Sequence, residues 1–271
     1  MAPKRPPAPT KWEEHRTAAI LLVSIVVVVV LVVLGGRALA GFLARRLPYD
    51  VDQTIGAAAA QSVVASSDIC TNPAMLAAVR DITSRLAAGL EPEFGGIEVQ
   101  VVADDVPNAF ALPGGYVFVH TGLLTELKAP EELIGVLGHE LGHVARRHGI
   151  VRLAESVWWR FLIAQLFGDF GDLGGMSAQA IELVSLKFDR AQESESDEFG
   201  LELMRRVGYE PRAFPDFFDR LPSQTGTTWF STHPEPADRA RELREAINAL
   251  PPLTSRQEPP TLEALQGPCH N

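Results

Sequence analysis

The sequence has few cysteines, and few basic residues once its first 46 positions are passed. Two cysteines in 271 residues, Cys70 and Cys269, cannot build a disulfide-rich scaffold, and neither lies in a Cys-x-x-Cys pair of the kind that binds metal. They can form one bridge if the domain is exported. Beyond residue 46, 17 Lys and Arg face 32 Asp and Glu, a net charge of −15. This excess repels phosphate backbones, so we expect no nucleic-acid partner.

The composition is otherwise that of a folded protein. Apolar residues make up 46% of the chain and charged residues 21%, which excludes disorder as a description of the whole. The two ends are exceptions, because both are rich in proline and poor in apolar side chains. We predict disordered segments over 1–16 and 251–271.

A long uncharged run lies close to the amino terminus. Residues 17–36 contain no charged side chain and are mostly aliphatic. At about 1.5 Å per residue a helix of this length spans roughly 30 Å, the thickness of a bilayer's hydrocarbon core. We predict a transmembrane helix over 17–36, in contact with the lipid bilayer, and a linker over 37–50. The alternative is a cleaved signal peptide, because Ala38-Leu39-Ala40 has the form of a processing site.

The charges that flank the run favour one orientation. Four basic residues and the free amino group precede it, and three arginines follow it. Because positive charge tends to stay in the cytoplasm, we expect the amino terminus inside. The prediction is a single-pass protein of the cell membrane whose body lies outside the cytoplasm, on the periplasmic side.

The order of predicted elements indicates the fold class. Strands are expected over 97–102, around 108–112 and over 116–119. Most helices follow them, and helical spacing continues throughout 176–207. The predicted helices span 51–65, 73–90, 122–127, 130–149, 151–167, 176–207 and 236–250. This order predicts an α+β domain over 51–250, mostly helical, with a small antiparallel sheet packed on a helical bundle.

The helix predicted over 130–149 contains His139-Glu140-Leu141-Gly142-His143. Spacing of i, i+4 puts both imidazoles on one face, where a single Zn²⁺ can accept both. Glu140 follows the first ligand and can take a proton from the attacking water. The alternative is a helix with two surface histidines.

A third ligand is expected from another helix. Glu193 and Asp197 lie one turn apart within an acidic cluster of the helix predicted over 176–207. We assign Glu193 to the metal, and Asp197 to the far nitrogen of a ligand histidine, which it would orient. The alternative is a solvated acidic face.

Four segments together resemble a known family. These are Asn108-Ala109-Phe110-Ala111-Leu112-Pro113-Gly114-Gly115, the His139–His143 motif, Arg190-x-x-Glu193-x-x-x-Asp197 and Thr232-His233-Pro234. In this order over 51–250 they resemble the gluzincin zinc metallopeptidases of the CAAX prenyl-protease and HtpX type, with a closer likeness to their single-domain bacterial relatives. The chain differs in having Asp189, Ser196 and one apparent membrane span.

The resemblance implies a zincin-like fold, one Zn²⁺ per chain and Glu193 as its third protein ligand. It also implies hydrolysis of extended or misfolded polypeptides, among them membrane or envelope proteins. A substrate would add as a strand along 108–112 or along the neighbouring 115–119. The substrate-binding candidates are Asn108, Ala109, Phe110, Ala111 and, as a weaker candidate, Arg239, which could instead support the metal ligands.

The remaining histidines are assigned individually. His233 precedes a proline, and the resemblance favours a role in the site, either stabilising an oxyanion or plugging the fourth metal position, over capping the following helix. His148 lies five residues after His143, off the ligand face, and is expected to be structural. His120, at a strand end, receives the same interpretation.

The helix predicted over 151–167 is apolar on all sides, and its aromatic residues include Trp158 and Trp159. Burial in the core is the expected explanation. The alternative is a lid, hinged at Gly168–Gly175, that covers the cleft or dips into the membrane surface.

A function from another class also fits the sequence. A membrane-tethered chaperone or scaffold would hold extended clients on the same sheet edge, with zinc in a structural role. Only Glu140 separates the two functions, because a structural metal site does not need a general base.

Overall fold

The computed structural model describes residues 10–91, 94, 96–167, 183, 187–220, 233 and 236–270. The helices are α1 (Lys11–Ala44), α2 (Tyr49–Ser66), α3 (Pro73–Ala87), α4 (Thr121–Glu126), α5 (Pro130–Ala145), α6 (His148–Phe167), α7 (Arg190–Arg206), α8 (Phe214–Arg220), α9 (Pro236–Ala249) and α10 (Leu262–Leu265). The strands are β1 (Glu98–Val102), β2 (Ala109–Leu112) and β3 (Tyr116–His120). The α+β class and the mostly helical architecture are confirmed.

The sheet has the order β1-β3-β2 and is mixed. Strand β2 pairs with β3 in antiparallel fashion through the tight 113–115 turn, whereas β1 runs parallel to β3. The expectation of a wholly antiparallel sheet is corrected for this pair, because β1 and β3 are joined by a crossover that includes β2 rather than by a hairpin. Strand β3 is central, so β2 is the edge strand that faces α5.

The core lies between the sheet and α3, α5, α7 and α8. Leu133, Ile134 and Leu137 on α5 are fully buried, together with Val117 and Val119 on β3. This packing holds α5, which carries the histidine motif, against the sheet.

Helices α5 and α7 approach each other at pairs of small residues. A Cβ added to Gly138 would lie 3.2 Å from the Cα of Gly200, and one added to Gly142 would lie 2.9 Å from the Cα of Ser196. Larger side chains would push the two helices apart. The approach sets the distance between the acidic residues of α7 and the histidines of α5.

Helix α7 is shorter than the spacing predicts. The helix expected over 176–207 begins at Arg190, because Asp189 caps it by accepting a hydrogen bond from the backbone N–H of Gln192. Residues 187–189 are not helical, and 176–182 lie outside the described residues.

Helix α1 includes the predicted membrane span. Its portion from His15 to Ala44 is long and apolar enough to cross a bilayer, with a mean hydropathy of 3.3 over its best window and no buried residue in that window. The helix continues to Ala44, so most of the predicted 37–50 linker is helical. Residues 1–9 of the predicted disordered segment lie outside the described residues, and the rest of that segment is helical from Lys11.

The carboxyl-terminal segment packs on the body, so the expectation of disorder over 251–271 is corrected for its described residues, 251–270. Leu265 is fully buried and belongs to the core, and α10 contacts α3. Cys269 forms a disulfide with Cys70, and its carbonyl accepts the N–H groups of Thr71 and Asn72. Apolar packing, backbone hydrogen bonds and one covalent bridge therefore attach this proline-rich segment to the body.

The second half of α6 is exposed, which corrects the expectation of core burial. Trp159 and Phe161 retain 52% and 47% of their accessible surface. This half packs beside α1 rather than under the sheet. The hinge proposed at Gly168–Gly175 lies outside the described residues.

Candidate metal centre

Helix α5 presents two buried imidazoles one turn apart. His139 is fully buried and His143 is 3% exposed, and their Nε2 atoms lie 3.0 Å apart. Burial holds the pKa of His143 well below its usual value, so the ring is neutral and its nitrogen can act as a ligand. The interpretation as surface histidines does not fit this geometry.

Helix α7 brings a carboxylate to the same point. Glu193 Oε1 lies 3.4 Å from His143 Nε2, and Oε2 lies 3.6 Å from His139 Nε2. Ligands about 2.0 Å from a tetrahedral Zn²⁺ are about 3.3 Å from one another, which matches these separations. Burial opposes ionisation of Glu193, but His233 and Arg239 outweigh it and hold its pKa well below the usual value. The carboxylate is therefore charged and suited to a cation.

Asp197 and Arg239 support the ligands from behind. Asp197 Oδ1 accepts the N–H of His139 Nδ1 at 2.8 Å, which directs Nε2 toward the centre. Arg239 donates to both Asp197 oxygens at 2.7 Å and lies 2.5 Å from Glu193 Oε2. Although burial opposes it, Arg239 holds the pKa of Asp197 below its usual value.

Arg239 is 4% exposed and lies over the ring of Phe218. Its guanidinium contacts the carboxylates on the protein side of the centre. Of the two roles expected for Arg239, these contacts favour support of the candidate ligands over substrate binding.

The remaining catalytic candidates lie at the same centre. Glu140 is 1% exposed, and its Oε2 accepts the backbone N–H of Ala111 on β2 at 3.0 Å. His233 is also 1% exposed, with its Nδ1 3.2 Å from His139 Nε2 and 3.0 Å from Glu193 Oε1. Its Nε2 lies 3.5 Å from Glu140 Oε1. His233 thus lies where a fourth ligand would lie.

The buried charges of the centre call for a cation. Three carboxylates, Glu140, Glu193 and Asp197, face a single guanidinium, Arg239, a formal excess of two negative charges when the imidazoles are neutral. Buried charge is costly unless it is paired or coordinates a metal. The pKa of His233 responds to the excess: burial opposes its protonation, but Glu193 and Glu140 raise the pKa.

Ligand atoms of His139, His143, Glu193 and His233 all lie within 4.8 Å of one another. The set of imidazoles and a carboxylate suits Zn²⁺, and a divalent ion would cancel the charge excess. Residues 73–247 match the family model described as Peptidase family M48. The chain belongs to peptidase family M48. The family implies a metal ion, and the predicted resemblance to gluzincin metallopeptidases is confirmed.

Named relatives of this M48 metallopeptidase are also peptidases. The chain is 34% identical over 152 residues to the mitochondrial metalloendopeptidase OMA1 of Arabidopsis thaliana, and the alignment covers 55% of the chain and 31% of that protein. It is 27% identical over 222 residues to the beta-barrel assembly-enhancing protease of Yersinia pestis, covering 76% and 46%. It is 33% identical over 151 residues to the metalloprotease YcaL of Escherichia coli, covering 52% and 58%. The chain therefore spans between a third and about three fifths of these relatives.

The sequence interpretation missed His148. The ring is fully buried, with Nδ1 2.9 Å from Nδ1 of the ligand His143 and Nε2 3.1 Å from Glu195 Oε2. Burial lowers the pKa of His148 to about 4 against the opposing Glu195 carboxylate, so the ring is neutral. If His143 presents Nε2 to a metal, its Nδ1–H donates to His148 Nδ1, and His148 Nε2–H donates to Glu195. His143 and His139 therefore have different orienting partners.

His148 reaches this position because the helix ends before it. Helix α5 ends at Ala145, and Arg147 adopts a left-handed φ of 57° before α6 begins. The chain turns back, so a position five residues on no longer lies off the ligand face. Arg147 is held there by Asp52 and by the carbonyl of Leu47. The sequence did contain a signal for a helix end here. Arg146 and Arg147, followed by Gly149, are residue types that are common at the carboxyl end of a helix.

We predict that Glu195→Gln weakens zinc binding by about 10-fold and that His148→Phe weakens it by about 10- to 100-fold, because His143 loses its orienting partner. Competition with a chromophoric chelator measures the affinity. Glu198→Gln, the same change at an exposed site on α7, is the matched control. Equal zinc affinities of the control and both variants would show that the hydrogen bonds from His143 to His148 and from His148 to Glu195 do not support His143 as a ligand.

Proposed function

We propose that this M48 peptidase is a membrane-anchored, zinc-dependent endopeptidase that hydrolyses extended or misfolded polypeptides. The observation that carries the proposal is the position of Glu140, whose carboxylate lies 3.5 Å from His233 at the metal centre and also contacts the edge strand β2. A general base beside both the metal centre and a peptide-binding edge is the arrangement that peptide hydrolysis requires.

His139, His143 and Glu193 would hold the metal, with Asp197, Arg239, His148 and Glu195 orienting them. When bound, Zn²⁺ supplies a Lewis acid that polarises the scissile carbonyl and makes water acidic enough to attack near neutral pH. Glu140 removes a proton from the attacking water and passes it to the leaving amine. Its buried position keeps bulk water from competing for that proton.

The outer edge of β2 is the proposed substrate site. Asn108 accepts the N–H of His120 on β3, whereas the N–H of Ala111 points the other way, to Glu140. By the alternation of a strand, the backbone groups of Ala109 and Ala111 both face away from β3. An extended peptide can pair as an added strand with those groups that Glu140 does not occupy, a mode that reads main chain more than side chain.

Asn108 and Phe110 complete this surface. The side-chain oxygen of Asn108 is buried and accepts no hydrogen bond from the part of the chain that the structure describes. A substrate amide can satisfy it. Phe110 stacks on Phe118 at 5.1 Å, which stiffens the strand that receives the peptide.

We propose that His233 closes the centre reversibly. Its ring fills the fourth position and lies between Glu193 and Glu140, where the attacking water would otherwise lie. Displacement of the ring opens the site to water and substrate. Of the three roles that the sequence allowed, this geometry supports the plug most directly.

We propose that α1 anchors the protein in a membrane and that the body lies on the outer, periplasmic side. Support comes from the apolar length of α1, the charge bias around it and the Cys70–Cys269 disulfide, because disulfides persist in oxidising compartments. Relatives named as mitochondrial and beta-barrel assembly-enhancing proteases support membrane or envelope proteins as substrates.

Glu140→Gln should lower the rate of peptide hydrolysis by about 10²- to 10⁴-fold while bound zinc stays at one ion per chain, because the variant loses only the base. Casein cleavage by the full chain, with and without a chelator, measures the rate. Glu131→Gln on the same helix is the control. Unchanged handling of unfolded clients, with no chelator-sensitive cleavage by the parent protein, would favour the chaperone or scaffold with a structural zinc.

His233→Ala should raise the rate of peptide hydrolysis by about 10-fold or more if the open state is a minor population, with zinc content unchanged. His270→Ala, at an exposed site, controls for the loss of an imidazole. A lower rate would make His233 an oxyanion stabiliser, and an equal rate would remove it from the site.

Protein recovered from cell membranes directly into a maleimide polymer should gain mass only after reduction, because an oxidising compartment keeps the Cys70–Cys269 bridge. Cys70→Ser, which frees Cys269, should react without reductant. Labelling of both cysteines before reduction would place the body in the cytoplasm.

A further inference from the structure

The second half of α6 exposes large apolar side chains on opposite sides of the helix. Val157 and Phe161 are 44% and 47% exposed on one side, and Trp159 and Ile163 are 52% and 38% exposed on the other. Single exposed apolar residues are ordinary, but a helix that exposes them on two sides is not built to cover a protein core. Between residues 157 and 167 the sequence has one charged residue, Arg160.

This half of α6 runs back along α1. Near the start of α6, Val151 packs against Gly41, and one turn later Glu155 pairs with Arg37 at 2.9 Å. Further along, the Trp158 indole fills the space beside Gly36, where a Cβ would overlap it. Partners on α1 thus move toward its amino terminus as α6 proceeds. The two helices are antiparallel, and α6 advances toward the apolar run of α1.

The lengths set how far α6 can reach. Arg37 is the first charged residue after the uncharged run 17–36, so the Arg37–Glu155 pair marks the end of that run. Val157–Phe167 is about 16 Å long at 1.5 Å per residue, about half of a 30 Å hydrocarbon core. The chain is back at Arg152 by Lys187, whose carbonyl accepts the Arg152 guanidinium. Arg152 and Lys187, which lie on either side of this segment in the sequence, are therefore on the same side of the bilayer.

We propose that Val157–Phe167 enters the outer leaflet of the bilayer beside α1. The inference rests on the proposed anchoring by α1. The exposed apolar side chains of α6 lie beside those of α1, because the two helices pack together from the Arg37–Glu155 pair onward. Trp158 and Trp159 lie one turn below that pair, at the level of the interface, where such rings are favoured. Arg160 has a side chain long enough to extend to the headgroups.

Insertion of α6 fixes the height of the metal centre. His148, which contacts the ligand His143, lies seven residues before Glu155, on the order of 10 Å along the helix. The centre would then lie close to the membrane surface and reach polypeptide segments next to the bilayer.

Depth-dependent quenching in lipid vesicles tests the proposal on the full chain. Single cysteines are placed by Phe161→Cys and Ile163→Cys, by Val27→Cys in α1 and by Glu242→Cys on the exposed face of α9, and each is labelled with an environment-sensitive fluorophore. Cys70 and Cys269 stay bridged, and the unsubstituted chain is the blank. Quenchers are phosphatidylcholine with nitroxide on the acyl chain, and iodide in the water.

Labels at 161 and 163 should be quenched by the lipid nitroxide and protected from iodide, as the label at 27 is, whereas the label at 242 should respond to iodide alone. If the label at 27 is quenched by lipid but the labels at 161 and 163 respond to iodide, the proposed insertion of α6 is wrong, and the proposed anchoring by α1 is supported. If 161 and 163 respond to neither quencher, protein covers the surface and the proposal is overturned. If the label at 27 responds to iodide, both the proposed anchoring by α1 and the proposed insertion of α6 are wrong.

Discussion

The close approach of α5 and α7 determines the positions of the side chains on which the chemistry depends. Gly138 faces Gly200 and Gly142 faces Ser196 across a contact that has no room for a larger residue on α5. With the backbones this close, a short side chain from α7 reaches the imidazoles of α5. Larger residues at this contact would push the helices apart and move Glu193 away from the imidazoles.

The same contact concentrates charge that the protein must compensate. Glu193, Asp197 and Glu140 are buried around one point, and Arg239 compensates only part of their charge. Arg239 pairs with Asp197, which orients His139, and it also pairs with Glu193. One cation on α9 therefore stabilises both carboxylates that α7 brings to the centre. The other candidate ligand, His143, is oriented by the neutral ring of His148 instead. One imidazole is therefore held by a carboxylate and the other by a second imidazole.

Sequence periodicity was enough to locate the histidine motif and the acidic pair, since i, i+4 spacing has one structural meaning on a helix. It could not place His148, because a left-handed residue, Arg147, breaks the helix on which the extrapolation relied. It left Arg239 between substrate binding and support of the ligands, because nothing in the sequence shows which side of the centre α9 covers. Both cases concern how separate elements meet.

Composition misled at two further places for a similar reason. The prolines of 251–271 indicate disorder, but Leu265 and the bridge from Cys269 attach that segment to α3. The aromatic residues of α6 indicate a core, but their neighbour is α1 and not the sheet. Apolar content predicts that a surface will be covered and does not say by what.

The central claim is that His139, His143 and Glu193 hold one divalent ion. Anomalous diffraction at the zinc edge from crystals of the full chain tests it directly. The account predicts one peak about 2.0–2.2 Å from Nε2 of both histidines and from a Glu193 oxygen. A fully loaded crystal with its anomalous peak elsewhere, or with Glu193 turned away from the ion, would contradict it.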